Sequence, residues 1–194
     1  MFHHTNFTFK EELKDRDFIT SYIILHHSKD SRPHTAEDVH RAHLNRGMAG
    51  IGYHYFIDKN GEIYEGRPRH TVGAHARGYN TESIGICFEG DFNKEAMGER
   101  QLNAAAMIIA LLKLAYSIGS NEPELKMWKD LNPETDDPGS KFPFDKLNIR
   151  VNECEGHLKI LFGEPNYLDE YRSIPGNFEY ENLLNLLDEV EECD

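Results

Sequence analysis

The sequence has too few cysteines for a disulfide framework. Only three occur in 194 residues, Cys87, Cys154 and Cys193, and they lie far apart along the chain. An odd number of widely spaced cysteines suits synthesis in a reducing compartment, and the chain has no CxxC pair that would indicate a thiolate metal site. A chain of this length buries enough apolar surface to fold without covalent cross-links. We therefore predict one globular domain with a short appendage.

Long apolar runs and excess positive charge are also missing. The longest apolar run covers residues 104–112 and ends at Lys113, whereas a membrane-spanning helix needs roughly 20 residues. Residues 1–17 mix His, Lys, Glu and Asp and contain no apolar core of a signal peptide. The formal net charge of -13 repels a phosphate backbone. We therefore expect no membrane span, no secretory signal and no nucleic-acid partner, and recognition through a shaped site.

Strand and helix patterns alternate along the chain. Segments rich in β-branched and aromatic residues predict strands at 19–28, 52–58, 62–67, 83–89 and 125–131. Asn60-Gly61 indicates a tight hairpin turn between the second and third of these. Helical periodicity covers residues 35–46, where Thr35 is a suitable N-cap, and residues 99–117. This order predicts an α/β domain with a central mixed sheet flanked by helices.

The composition divides the chain into three segments. We expect an N-terminal extension over residues 1–18, the α/β domain over 19–147 and an acidic C-terminal appendage over 148–194. Apolar residues of the appendage recur at helical spacing: Phe178, Leu183, Leu184, Leu186, Leu187 and Val190. An isolated helix of this length is marginal in water, so its apolar stripe must be buried. We predict that the stripe packs on its own domain or forms a homo-oligomer with a second copy.

A series of short motifs carries a family likeness. The motifs are HHS at 26–28, GIGYHYFI at 50–57, GRP at 66–68, VGAHARGYN at 72–80, SIGICFEG at 83–90, DLNP at 130–133 and DDPG at 136–139. In content and order they resemble the type 2 N-acetylmuramoyl-L-alanine amidase superfamily. That superfamily includes phage lysozyme-type amidases and the peptidoglycan recognition proteins. The likeness extends over residues 19–147 and implies the same mixed-sheet fold.

The resemblance also implies a reaction and a cofactor. Members cut the amide between the lactyl group of N-acetylmuramic acid and L-alanine of the stem peptide. A zinc ion held by two histidines and one cysteine or aspartate activates water and polarises the carbonyl. By resemblance, His26 and Asp137 are zinc ligands, Tyr53 orients the attacking water or the substrate, and Thr135 stabilises the oxyanion.

The resemblance further implies that His75 lines the substrate cleft. We also expect Tyr79, Asn80 and Trp128 to contact the substrate.

Plain structural roles remain open for the same positions. His26 also suits a hydrogen-bonded core histidine, Tyr53 a packed strand residue, and Asp137 and Thr135 ordinary turn residues. His75 also suits packing in its glycine-bounded loop. Two neighbours are expected to be structural. His27 points to the opposite face of its strand, and Cys87 has no activating base that would make it a nucleophile.

Trp128 stands where the resemblance places the second histidine ligand. The family pattern reads Gly-His-Arg-Asp, but this chain has Met-Trp-Lys-Asp at 127–130. An indole N–H donates hydrogen bonds and cannot bind zinc. No histidine lies between His75 and His157, so only a return of Cys154 or His157 to the site would supply a third ligand. The sequence therefore predicts weak or absent zinc binding.

Two functions follow from these residues, both with peptidoglycan or muropeptide as the partner. The first is a zinc amidase that releases stem peptides. The second is a zinc-free muropeptide-binding module, which Trp128 favours because a bulky indole fills the metal position and can stack on a sugar. In the absence of a signal peptide we expect synthesis in the cytoplasm. Action on the wall would then require release, as for a prophage endolysin.

Overall fold

A six-stranded mixed sheet forms the centre of the protein. The computed structural model describes residues 1–16, 19–116 and 122–162. The strands are β1 (Phe2–His3), β2 (Tyr22–His27), β3 (Tyr55–Ile57), β4 (Ile63–Glu65), β5 (Ser83–Phe88) and β6 (Glu124–Met127). Their order across the sheet is β1-β4-β3-β5-β2-β6, and only the β3–β4 pair is antiparallel. The predicted mixed α/β sheet and the hairpin around Asn60-Gly61 are confirmed.

Four helices accompany the sheet in the described part of the chain. They are α1 (Ala36–Asn45), α2 (Glu99–Tyr116), α3 (Trp128–Leu131) and α4 (Phe144–Phe162). Helix α1 begins with the expected cap, because Thr35 and Asp38 form a reciprocal capping box. The strand predicted over 125–131 is wrong in its second half: β6 ends at Met127, whose backbone N–H donates to the Asp130 carboxylate at 3.0 Å. This bond turns the chain into the short helix α3.

The sheet separates two apolar layers. Helices α2 and α4 cover one face, where Ile23, Leu25 and Ile86 belong to the main core. Helix α1 covers part of the other face, where a smaller cluster contains Phe56 and Cys87. Because side chains alternate along a strand, residue 26 of β2 lies on the face opposite to residues 23 and 25.

His27 belongs to the structural side, as expected. Its Nδ1 accepts a hydrogen bond from the Phe92 backbone N–H at 3.2 Å, and its ring stacks on Phe92 with centroids 6.0 Å apart. The pKa of His27 is lowered because burial disfavours its charged form. The ring therefore acts as a neutral acceptor within the core.

The chain on either side of the central domain contributes to this fold. Strand β1 pairs with β4, and α4 runs through residue 147 with Leu147, Val151 and Leu158 buried in the main core. The three-segment division at 18 and 147 stays a prediction. The apolar stripe at 178–190 lies outside the described residues. Among those described, no helix has both the length and the apolarity that a membrane crossing requires.

Candidate functional site

The end of strand β2 brings together two of the predicted site residues. The His26 side chain is 1% exposed, and its Nδ1 donates to the Asp137 carboxylate at 2.8 Å. The other carboxylate oxygen of Asp137 accepts from the His27 backbone N–H at 2.8 Å. The loop after α3 is thereby fixed to the end of β2, and both acceptor oxygens of Asp137 are engaged.

His75 contacts the second ring nitrogen of His26. The Nε2 of His26 and the Nδ1 of His75 share a hydrogen bond of 3.0 Å. Glycines make room for this ring: a Cβ at Gly85 would lie 2.4 Å from a His75 ring atom, and one at Gly73 would lie 2.5 Å away. Burial of the ring lowers the pKa of His75 well below its usual value, and the adjacent His26 lowers it further. His75 is therefore neutral at physiological pH.

The loop that carries His75 is held by its own side chains. The Asn80 side-chain carbonyl accepts from the backbone N–H groups of His75 and Ala76 at 2.9 and 2.8 Å. Ser83 donates to the Tyr79 carbonyl at 2.6 Å. Asn80 thus organises the loop through its side-chain carbonyl, and its NH2 group takes no part in these two hydrogen bonds. The Tyr79 ring extends toward Trp128, with centroids 6.2 Å apart.

Tyr53 lies on the other side of His26. Its ring centroid is 5.2 Å from that of His26 and 6.3 Å from that of His75. Burial, a hydrogen bond with Cys87 and the nearby Asp137 charge all raise the pKa of Tyr53 well above its usual value. The hydroxyl therefore stays protonated. Cys87 is fully buried and burial raises its pKa as well, so it is a packed thiol and not an activated nucleophile.

Thr135 supports the Asp137 loop. Its hydroxyl oxygen accepts from the Asp137 backbone N–H at 3.2 Å, and the Asp137 carbonyl accepts from the Lys129 backbone N–H at 2.8 Å. His26, Tyr53, His75, Asp137 and Thr135 therefore converge on one end of the sheet from four separate parts of the sequence.

A cavity of about 190 Å³ opens between helix α1 and Tyr53. It is lined by Ser28, Asp30, His34, Asp38, Val39, Ala42, His43, Arg46 and Tyr53. Nδ1 of His43 accepts from the Gly52 backbone N–H at 3.0 Å, and burial lowers the pKa of His43 to about 4. The sequence motifs gave no role to Arg46. Its place at the C-terminal end of α1, seven residues before Tyr53, was the feature of the sequence that pointed to a position near the site.

The residues present do not fit a zinc centre with three protein ligands. Trp128 lies beside His26, with ring centroids 6.1 Å apart, and an indole supplies no metal donor. Nowhere in residues 1–16, 19–116 and 122–162 do three or more His, Cys, Asp or Glu side chains form a group able to hold a metal ion. Helix α4 carries Cys154 and His157 on the opposite side of the sheet, where Cys154 packs against the main core. They cannot replace the missing ligand while the sheet separates them from His26.

Sequence comparison identifies relatives in two groups of proteins. The N-acetylmuramoyl-L-alanine amidase family matches residues 15–140. Peptidoglycan-recognition protein 2 of Holotrichia diomphalia is 36% identical over 129 residues, which cover 61% of this chain and 67% of the relative. The endolysin of Klebsiella phage KP32 is 30% identical over 105 residues, which cover 50% of this chain and 70% of the endolysin.

Solved structures give the same two groups. The N-acetylmuramoyl-L-alanine amidase LysC from Clostridium intestinale URNW superposes with a TM-score of 0.71 at 35% identity, covering 78% of this chain and 97% of LysC. Peptidoglycan recognition protein-LE, in complex with tracheal cytotoxin, has a TM-score of 0.64 at 27% identity and covers 71% of this chain and 85% of its own. The tracheal cytotoxin in that complex is a monomeric diaminopimelic acid-type peptidoglycan.

Proposed function

The chain belongs to the N-acetylmuramoyl-L-alanine amidase family, and from this premise we propose that it binds muropeptides in the cleft around His26 without a catalytic zinc ion. The observation that carries the proposal is the pairing of His26. One of its ring nitrogens bonds to Asp137 and the other to His75, and Trp128 lies beside it in place of a third ligand. The polar groups at the centre of the cleft satisfy one another without a metal.

The cavity between α1 and Tyr53 has suitable chemistry for a stem peptide. Arg46 supplies a cationic group to the cavity beside Tyr53, and stem peptides carry carboxylates that an arginine binds through paired hydrogen bonds. Neutral His43 and protonated Tyr53 add fixed polar groups with little charge. A concave site with a few convergent polar groups is typical of small-ligand recognition. The complex of peptidoglycan recognition protein-LE with tracheal cytotoxin supports the choice of a muropeptide.

A zinc amidase is the second candidate, and one observation favours it. The four positions that the resemblance assigns to catalysis and metal binding adjoin one another at the end of β2. They are His26, Asp137, Tyr53 and Thr135. The two candidates differ in their need for metal. An amidase of this family needs a zinc ion that lowers the pKa of water and polarises the carbonyl, whereas a binding module does not.

Zinc content and muropeptide binding, measured on the same preparation, separate the candidates. The full chain is purified without an affinity tag or added metal, its zinc is measured by elemental analysis, and muropeptide is titrated by calorimetry. We expect clearly less than one zinc per chain and saturable binding that is unchanged by a chelator. One tightly held zinc per chain together with release of stem peptide would establish the amidase instead. Absence of binding at millimolar muropeptide would contradict both candidates.

Arg46 and Arg150 form a matched pair of variants for the same titration. Arg46→Ala removes the cationic group that lines the cavity and should weaken muropeptide binding by about tenfold, as expected for a lost charge-assisted hydrogen bond. Arg150→Ala removes an equal charge from α4, where Arg150 pairs with Glu153. That variant should bind like the unmodified protein. Equal weakening by both would indicate a general effect of net charge.

A further inference from the structure

A row of aromatic rings leads away from His26 on the β6 side of the sheet. The Tyr22 and Tyr79 rings meet edge to face at 5.6 Å, and the Tyr79 and Trp128 rings do so at 6.2 Å. Trp128 then reaches His26 at 6.1 Å. All three aromatic residues are only partly buried. We call Tyr22, Tyr79 and Trp128 the aromatic row.

Strand register explains why the row forms here. Strands β2 and β6 are parallel, and Leu25 is paired with Met127, so Trp128 follows directly alongside His26. Tyr22 lies four residues before His26 on β2 and therefore on the same face. The loop that is closed by Asn80 holds Tyr79 between the other two rings. The row thus depends on the residue that replaces the expected metal ligand.

We propose that the aromatic row is a glycan subsite, which binds the sugar rings of peptidoglycan while the cavity at α1 takes the stem peptide. The inference rests on the proposed function and adds which part of the ligand each side of His26 recognises. The C–H face of a pyranose ring is apolar and packs on the electron-rich face of an aromatic ring, and tyrosine and tryptophan also offer a polar group to sugar hydroxyls. The indole N–H of Trp128 is a hydrogen-bond donor that a sugar hydroxyl or acetamido carbonyl can satisfy.

The two sides of His26 differ in the groups that line them: charged side chains line the α1 cavity, and aromatic rings form the other side. The cavity on the α1 side contains Arg46, Asp30 and Asp38, which suit a charged peptide. The aromatic row presents uncharged rings, and the charged Glu124 and Lys126 beside Tyr22 are paired with each other at 2.8 Å. In a muropeptide the lactyl group joins the sugar to the peptide, so a ligand that spans both sides places this junction near His26. The replacement of a metal ligand by tryptophan thereby extends a sugar-binding surface to the centre of the cleft.

The single tryptophan makes the subsite directly observable. Trp128 is the only tryptophan in the chain, so tryptophan emission reports on this position alone. The full chain is titrated with three probes: the GlcNAc–MurNAc disaccharide with its lactyl carboxyl group converted to an amide, the free stem peptide, and the complete muropeptide. We expect the disaccharide and the muropeptide to change the emission on binding. The free peptide should bind by calorimetry with a much smaller change in emission.

Variants of the row test the contact itself. Measured by calorimetry, because the variant contains no tryptophan, Trp128→Ala should weaken disaccharide binding by about tenfold, equivalent to about 1.4 kcal/mol, and leave peptide affinity unchanged. Trp128→Phe, which keeps a ring and protects the fold, should recover part of the loss. Tyr79→Ala should also weaken disaccharide binding. Its control is Tyr64→Ala, because Tyr64 is a partly buried tyrosine stacked on His3, away from the cleft.

The outcomes separate this inference from the function on which it rests. Stem peptide that binds while the disaccharide does not would overturn the glycan subsite and leave muropeptide binding intact. Unchanged disaccharide affinity in Trp128→Ala would also overturn it. If neither the complete muropeptide nor its parts bind, the proposed function itself fails. Weakened disaccharide binding in both row variants, with normal peptide binding, supports the subsite.

Discussion

Replacing Trp128 by histidine should create a zinc site in this protein. The substitution places an imidazole at the end of β6, beside His26 and in the position that the family resemblance assigns to the second histidine ligand. His26 and Asp137 already lie 2.8 Å apart, nitrogen to oxygen. A third donor would complete the protein ligand set that is usual for zinc hydrolases. We expect the Trp128→His variant to bind one zinc ion per chain.

The balance of free energies favours metal binding by several kcal/mol. A completed zinc site contributes on the order of 10 kcal/mol. Loss of a large buried aromatic side chain costs about 3–5 kcal/mol, and Trp128 is only partly buried, so its loss costs less. Opening the His26–Asp137 hydrogen bond costs about 1.5–3 kcal/mol. With free zinc at 100 times its dissociation constant, the variant gains about 2.7 kcal/mol, or roughly 5–10 °C in Tm for a chain of this size.

Elemental analysis and thermal unfolding, with and without chelator, test this expectation. Trp128→Phe is the control, because it also removes the indole but supplies no donor, and it should gain neither zinc nor zinc-dependent stability. Muropeptide cleavage should appear in Trp128→His and stay low in the unmodified protein. If the unmodified protein already holds one zinc per chain, or cleaves as fast as the variant in chelator, the interpretation of Trp128 as a disabling residue is wrong.

Three further perturbations test the fold and the site. Leu147→Ala should lower the free energy of unfolding, measured by urea titration, by about 2–5 kcal/mol, because Leu147 is fully buried against α2. Its control is Ile149→Ala, at an exposed position of the same helix, which should change the free energy of unfolding little. Gly85→Ala should displace His75, since the new Cβ would lie 2.4 Å from its ring. We expect the variant to be less stable by about 1–3 kcal/mol and to bind muropeptide more weakly in calorimetry. Normal stability together with normal binding would contradict the described packing. Burial lowers the pKa of His54 to about 3, so the unfolded chain binds a proton near pH 6.5 that the folded chain does not bind. The free energy of unfolding should therefore fall as the pH drops from about 6.5 toward 3. His54→Gln should reduce this pH dependence, measured by urea titrations near pH 7 and near pH 5.

The sequence by itself determined most of the local structure. Thr35 predicted the start of α1, and Asn60-Gly61 predicted the β3–β4 turn, where Gly61 has a φ of 86°. Alternation along β2 placed His26 and His27 on opposite faces. These features depend on neighbours within a few residues, and side-chain spacing records such neighbours directly. The β6 boundary was missed because one hydrogen bond, from the Met127 backbone to Asp130, competes with continued strand pairing.

Only the tertiary structure decided how the site residues are used. His26 lies 49 residues from His75 and 111 from Asp137 in sequence, and no local pattern indicates that both partners bond to the same imidazole ring. The sequence identified Asn80 as a cleft residue, but the fold engages its carbonyl in the loop that carries His75. It identified Trp128 as the replacement for a metal ligand, but the row that this residue forms with two tyrosines depends on strand register and loop packing. Contacts of this kind between distant residues form only when the sheet and its loops pack together, so no local pattern records them. The motifs of the chain therefore indicated its family, whereas tertiary packing determined the chemistry around His26.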